Sequence, residues 1–128
     1  MALGKIKADT LEHSTAGSLD TQYVVQGSAK AWVNFNGTGT LAVRNSLNTS
    51  SVTDNSTGNY SQAYTNSFSA ADYSICATVA DNSGVNAQWT YESVSTSGFN
   101  YYSADDAGSG YTWTDYASNS ATIHGDLA

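Results

Sequence analysis

Apolar and polar residues alternate from Ala29 to Phe35. Ala29, Ala31, Val33 and Phe35 fall on one face, and Lys30, Trp32 and Asn34 on the other. A period of two puts neighbours on opposite sides of an extended chain, so this run predicts a strand with a buried face. Asn36-Gly37-Thr38-Gly39 supplies residues that tolerate positive φ, and Leu41-Ala42-Val43 resumes the apolar pattern. The simplest reading is a hairpin built across that turn. Trp32 gives the second face a large side chain too. A strand apolar on both sides is central in its sheet or covered by another layer, so Trp32 and Phe35 are expected to be buried on opposite sides.

The remaining pattern predicts further short strands. Asn45–Ser51 reads as a crossing loop around Leu47, Ser51–Thr53 as a strand and Asp54–Asn59 as a tight turn. Tyr60, Gln62 and Tyr64 alternate with Ser61, Ala63 and Thr65, and Phe68 closes that segment. Ser69–Asp72 is a turn, Tyr73–Val79 a strand and Asp81–Gly84 another turn. Gln88–Ser95 and Phe99–Ser103 come next, then a long acidic loop at Asp105–Gly110. Tyr111–Tyr116 and Ala121–Gly125 are the last strands, with Tyr111, Trp113 and Asp115 on one face. Strands spaced at about 8–12 residues with turns between them describe a sandwich or barrel, without a helix longer than a turn. The expected fold is all-β, an antiparallel β-sandwich (jelly-roll or lectin-like) over residues 27–128, with an extended N-terminal arm, residues 1–26. In that arm Leu3, Ile6, Leu11 and Leu19 are scattered without a sustained period, and Thr15–Ser18 interrupts the middle. Such a segment builds no core of its own. It reads as a docking arm that places Leu3, Ile6 and Leu11 on a partner and Lys5 and Lys7 on an acidic surface. The alternative is a strand packed on its own domain.

Composition narrows the class. The 128 residues amount to one domain, with charged residues at 12%, no proline, nine tyrosines and three tryptophans. Disordered chains lack aromatics; this one is rich in them, with Ser, Thr, Asn and Gly filling its loops. The net charge of −7 is uneven: residues 45–128 carry eight acids and no lysine or arginine. Phosphate contacts need Lys or Arg, so that part is not expected to bind nucleic acid. Cys76 is the one cysteine, which excludes an intrachain disulfide, and its apolar surroundings predict a buried, inert thiol. The first ten residues lack the apolar core of a signal peptide, and no run is long enough to insert in a membrane. Sequons at Asn36, Asn48, Asn55 and Asn59 read as turn-forming residues.

Motifs for chemistry are sparse. His13 and His124 stand alone, and no His/Cys/Glu spacing marks a metal site. Asp54–Asn59 and Asp105-Asp106 lack the spacing of a calcium loop, and no G-x-S-x-G elbow accompanies the serines. No cofactor and no enzymatic activity are expected. The aromatics carry more information: Phe99, Tyr101, Tyr102, Tyr111, Trp113 and Tyr116 crowd the last third beside Asp105 and Asp106. Aromatic platforms near carboxylates suit sugar stacking and subunit interfaces alike. Tyr101, Tyr102, Tyr111 and Trp113 are the expected glycan or interface contacts.

The run Gly27–Arg44, GSAKAWVNFNGTGTLAVR, with Asn45–Asp54, Thr57–Tyr60 and the terminal IHGDLA, resembles tail-fibre and related virion proteins of bacteriophages. It is especially similar to the AKAWVNFNGTGT module of phages of marine and other aquatic bacteria. The resemblance spans about residues 27–128, and the arm IKADTLEHSTAGS is similar to the segment preceding that module in short phage proteins. It implies a non-enzymatic structural protein on the virion surface, often a homotrimer, bound to other virion proteins of tail or capsid and open to contact with a host surface glycan. A tail-fibre-like subunit, a capsid decoration or head-fibre protein, and a free lectin-like module are all compatible with it.

Overall fold

The alternation at residues 31–36 becomes a strand with Ala31, Val33 and Phe35 buried and the residues between them half-buried. The computed structural model describes residues 7–80, 86–106, 108 and 110–128. In chain order its elements are β1 (Thr10–His13), β2 (Gly17–Asp20), α1 (Thr21–Gly27), β3 (Ala31–Asn36), β4 (Ala42–Leu47), β5 (Thr49–Ser56), β6 (Asn59–Tyr64), β7 (Ser74–Ala80), β8 (Asn86–Ser95), β9 (Gly98–Asp106), β10 (Tyr111–Trp113) and β11 (Ser118–His124). β3 and β4 form the expected antiparallel hairpin, with a bulge at Asn34/Phe35. Its turn is held by Asn36, whose side-chain oxygen accepts from the Thr38 amide at 3.2 Å and the Thr38 hydroxyl at 2.8 Å. An Asn that folds back on its own chain in this way stabilises a turn without help from the core.

Besides the two-stranded β1–β2 sheet, the described residues form two larger antiparallel sheets, packed as a sandwich and not closed into a barrel. In the first, of order β4-β3-β11-β7, β3 is interior as expected. In the second, β9 pairs with β8 along one edge. Its other edge is shared by β6, opposite Gly98–Tyr102, and β10, opposite Ala104–Asp106, and β5 lies beyond β6. The facing sides meet through aromatics. Phe35 sits edge-on to Tyr60 at 4.9 Å and to Tyr101 at 5.9 Å, while Tyr64, Phe68 and Tyr73 form a second group. Each fully buried large side chain contributes about 1.5–3 kcal/mol of transfer free energy. The phenols also tie the layers: Tyr101 donates to the Thr78 carbonyl at 3.1 Å, and Tyr73 to the Ser95 carbonyl at 3.0 Å.

One end of the sandwich is closed by polar groups. Asp115 accepts from the Tyr60 hydroxyl at 2.6 Å and the Gly58 amide at 2.7 Å. Tyr116 donates to Asp105, and its carbonyl accepts from the Gly37 amide at 2.9 Å and the Asn119 side chain at 2.7 Å. Partnered in this way, Tyr60, Asp115 and the Asn119 amide nitrogen avoid the penalty of an unsatisfied buried polar atom, while the buried Asn119 side-chain oxygen has no hydrogen-bond partner among the described residues. Gly58 holds φ +66, and a Cβ there would lie 2.4 Å from the Ser103 carbonyl oxygen. Both the backbone conformation and the contact exclude a side chain at the junction of β6 and β10. Gly58→Ala should therefore cost more than about 1 kcal/mol, read as a lower urea midpoint at unchanged slope.

Several expectations are corrected. Asn45–Ser51 is not a loop: β4 and β5 run through it, separated only at Asn48, which takes φ 52. Asp54–Ser56 stays in β5, leaving Thr57-Gly58 as the turn. Asp105 and Asp106 belong to β9, because β8 and β10 both supply hydrogen-bonding partners there. β10 ends at Trp113, and Asp115 turns inward instead of sharing its face. Cys76 is exposed, since the inward face of its strand falls on buried Ala77 and half-buried Ile75 and Val79. Trp32 is only half-buried, on the outer face of its sheet beside Leu47. The N-terminal segment is not simply extended: β1 and β2 pair as a hairpin, and α1 exceeds a single turn. Thr15–Ser18, read as an interruption, instead spans the end of the hairpin turn at Ser14–Ala16 and the start of β2, and His13 Nδ1 accepts from the Ala16 amide at 3.1 Å. The expected turn at Asp81–Gly84 lies outside the described residues.

Candidate functional site

On β9, side chains alternate between the two faces of the sheet. Phe99, Tyr101 and Ser103 point inward and are buried. Tyr102 and Ala104 therefore belong to the outer face. Register extends that face across the sheet: Tyr102 is opposite Thr90, while Ala104 lies between Gln88 on β8 and Trp113 on β10. Tyr111 is opposite Asp106. A cleft of about 280 Å³ opens among these side chains, lined by Gln88, Thr90, Tyr102, Ala104, Tyr111 and Trp113 together with Trp89.

The cleft exists because a small residue sits between large ones. Ala104 lines the cleft although it is itself only 4% exposed, and the larger side chains rise around it. Trp113 is 49% exposed and Tyr111 66%, while their strand is held to β9 by three register pairs. Tyr102 leans against Trp113, with ring centroids 5.2 Å apart and planes inclined by 47°. Its hydroxyl donates to Glu92, which fixes the ring, and the neighbouring carboxylate holds that phenol above its ordinary pKa. At the opposite end the Gln88 amide donates to Asp106 at 3.3 Å. Asp106 also accepts from the Gly108 amide at 2.9 Å. These bonds orient the polar rim of the cleft.

Of the aromatic residues expected to make contacts, Tyr102, Tyr111 and Trp113 come together here. Tyr101 does not. It points into the core, 2% exposed, with Trp89 stacked nearly parallel to it at 6.3 Å. Burial raises its phenol pKa. Gln88, Thr90 and Ala104 were missed: the pairing of β8 with β9 carries Gln88 and Thr90 to the rings, and the pairing of β9 with β10 sets Ala104 opposite Trp113. Among the described residues no three His, Cys, Asp or Glu side chains are grouped as a metal site requires. No helix among them is long and apolar enough to cross a membrane.

The expected docking residues lie at the other extreme of the chain. Leu3, Lys5 and Ile6 are outside the described residues, and Lys7 is exposed at their boundary. Leu11 is opposite Leu19 in the β1–β2 hairpin, the two being 51% and 49% exposed. Tyr23, Val24 and Val25 of α1 are also exposed, and no residue of that helix is buried. The hairpin and helix are joined by the Thr21 hydroxyl, which donates to the Ala8 carbonyl at 2.6 Å. No protein-family model, no curated protein and no solved structure matches the chain.

Proposed function

We propose that this protein is a non-enzymatic virion structural subunit of the short tail-fibre type, attached to the particle through residues 1–26 and displaying its sandwich at the virion surface. The observation that carries the proposal is the N-terminal hairpin and helix. They expose Leu11, Leu19, Tyr23, Val24 and Val25 within one short segment and bury nothing. Single exposed apolar side chains are ordinary; a group of them on a segment without a core of its own is the mark of an interaction site. The resemblance of Gly27–Arg44 to phage fibre modules supplies the partner class, other virion proteins, and favours a homotrimer. The same attachment would serve a capsid decoration or head-fibre protein. A free lectin-like module is the second reading, favoured by the aromatic cleft on the outer face.

Deletion of residues 1–20 tests the attachment. The truncated protein is expected to keep its thermal midpoint, because those residues contribute no buried side chain among the described ones. It should be absent from purified particles. Incorporation at the level of the full chain would overturn the assignment. The position of the missing density on the particle would then distinguish tail from capsid.

A further inference from the structure

We propose that the cleft over Ala104 binds one neutral pyranose ring, seated against the Trp113 indole and enclosed by Tyr102 and Tyr111. A pyranose presents an apolar face of C–H groups ringed by hydroxyls, so its site needs an exposed aromatic face surrounded by oriented donors and acceptors. Both are present. Trp113 and Tyr111 are exposed on β10, which is hydrogen-bonded in place, and such rings supply contact area at little entropic cost. Gln88, held by Asp106, and Tyr102, held by Glu92, bring fixed polar groups to the rim, and Thr90 adds a hydroxyl to the lining. The volume of about 280 Å³ is at the small end of ligand pockets, which matches a single ring and not an extended chain.

Charge selects among sugars. Asp106 and Glu92 flank the cleft, and no lysine or arginine occurs anywhere in residues 45–128. A phosphorylated, sulfated or sialylated ligand would meet carboxylates without a cation to pair with. Neutral hydroxyls, by contrast, donate well to such acceptors. The site is on the sandwich and uses nothing from the N-terminal hairpin. Loss of sugar binding and loss of particle incorporation are therefore separate readouts.

The test is a ¹⁵N–¹H NMR titration of the full chain with the methyl glycosides of glucose, galactose, mannose and N-acetylglucosamine, and with N-acetylneuraminic acid as the anionic probe. At least one neutral glycoside should shift the Trp113 indole N–H and the Gln88 side-chain amide with a millimolar Kd. Trp32, on the other sheet, should not move, nor should the anionic probe bind. Trp113→Ala should weaken binding by at least about tenfold. Ala104→Leu, which fills the cleft and keeps every ring, should do the same. The proposal is overturned if none of the neutral glycosides shifts Trp113, if binding survives both substitutions, or if the anion binds as well. It is also overturned if Trp113→Ala dissolves an oligomer seen by size-exclusion chromatography, which would make this face an interface between copies of the chain.

Discussion

Replacing Phe35 with alanine is expected to cost about 3–5 kcal/mol, the usual range for removing a buried phenylalanine ring. Phe35 is 2% exposed and touches aromatic rings from two strands of the opposite sheet, Tyr60 on β6 and Tyr101 on β9. The cavity would open where the sheets face each other. Neither can close over it, since Tyr60 is tethered to Asp115 and Tyr101 to the Thr78 carbonyl. Domains of this size hold only about 5–15 kcal/mol in total, so the thermal midpoint should fall by roughly 10–20 °C or the protein become insoluble. Val43→Ala, at an exposed position on β4, is the matched control and should change stability by less than about 0.5 kcal/mol. A Phe35→Ala protein within 1 kcal/mol of the parent, about the least a core truncation costs, would mean that the two layers are not packed as described.

The second large effect is alkaline unfolding. Tyr60, Tyr64 and Tyr101 are buried, and burial is the first cause raising the pKa of each; Asp115 beside Tyr60 raises it further. A folded-state pKa above the unfolded value means that stability is intact below about pH 10, the ordinary tyrosine pKa, and is lost above it. Above that pH the unfolded chain releases protons that the folded chain retains. Each such tyrosine then removes about 1.4 kcal/mol of stability per pH unit. Three together remove about 4 kcal/mol per unit, enough to unfold a domain of ordinary stability within about two to three units above pH 10. Circular dichroism and tyrosinate absorbance near 295 nm, the ordinary phenolate band, should change in one cooperative step. Gradual ionisation of all nine tyrosines with the fold intact would contradict the buried placement.

The core and the cleft share strand β9, so one pleat shapes both. Tyr101 and Tyr102 are sequence neighbours with opposite fates because the pleat turns one inward and the other outward. Their phase was legible in principle from Phe99, a large apolar residue on the inward set. The aromatics crowded at residues 99–116 include Tyr102, Tyr111 and Trp113, which meet at the cleft. The rest of the site was not legible. Gln88 and Thr90 reach the rings only through the β8–β9 register, and register across a loop is a non-local quantity. Asp106 looked like part of a loop because it lies beside Ala107-Gly108. Its place in a strand comes from neighbours on both edges.

Local chemistry by itself determined much of this protein. Alternation at Ala31–Phe35 and Tyr60–Tyr64, with the Asn- and Gly-rich turns between runs, specified strands, their buried faces and an all-β sandwich. Those features depend on a period of two and on turn conformations, both of which act within a few residues. Tertiary structure alone decided the others. β6 and β10 abut along one edge of β9, which allows no side chain at Gly58 and draws Asp115 inward to Tyr60. Cys76 faces out although its run is apolar, because strand phase is set by the partner sheet. The N-terminal hairpin could not be read from hydrophobic periodicity because it buries nothing; backbone pairing and the Ser14–Ala16 turn hold it. Burial against another element leaves an imprint on sequence, whereas the choice of which elements meet is made only when the whole chain packs.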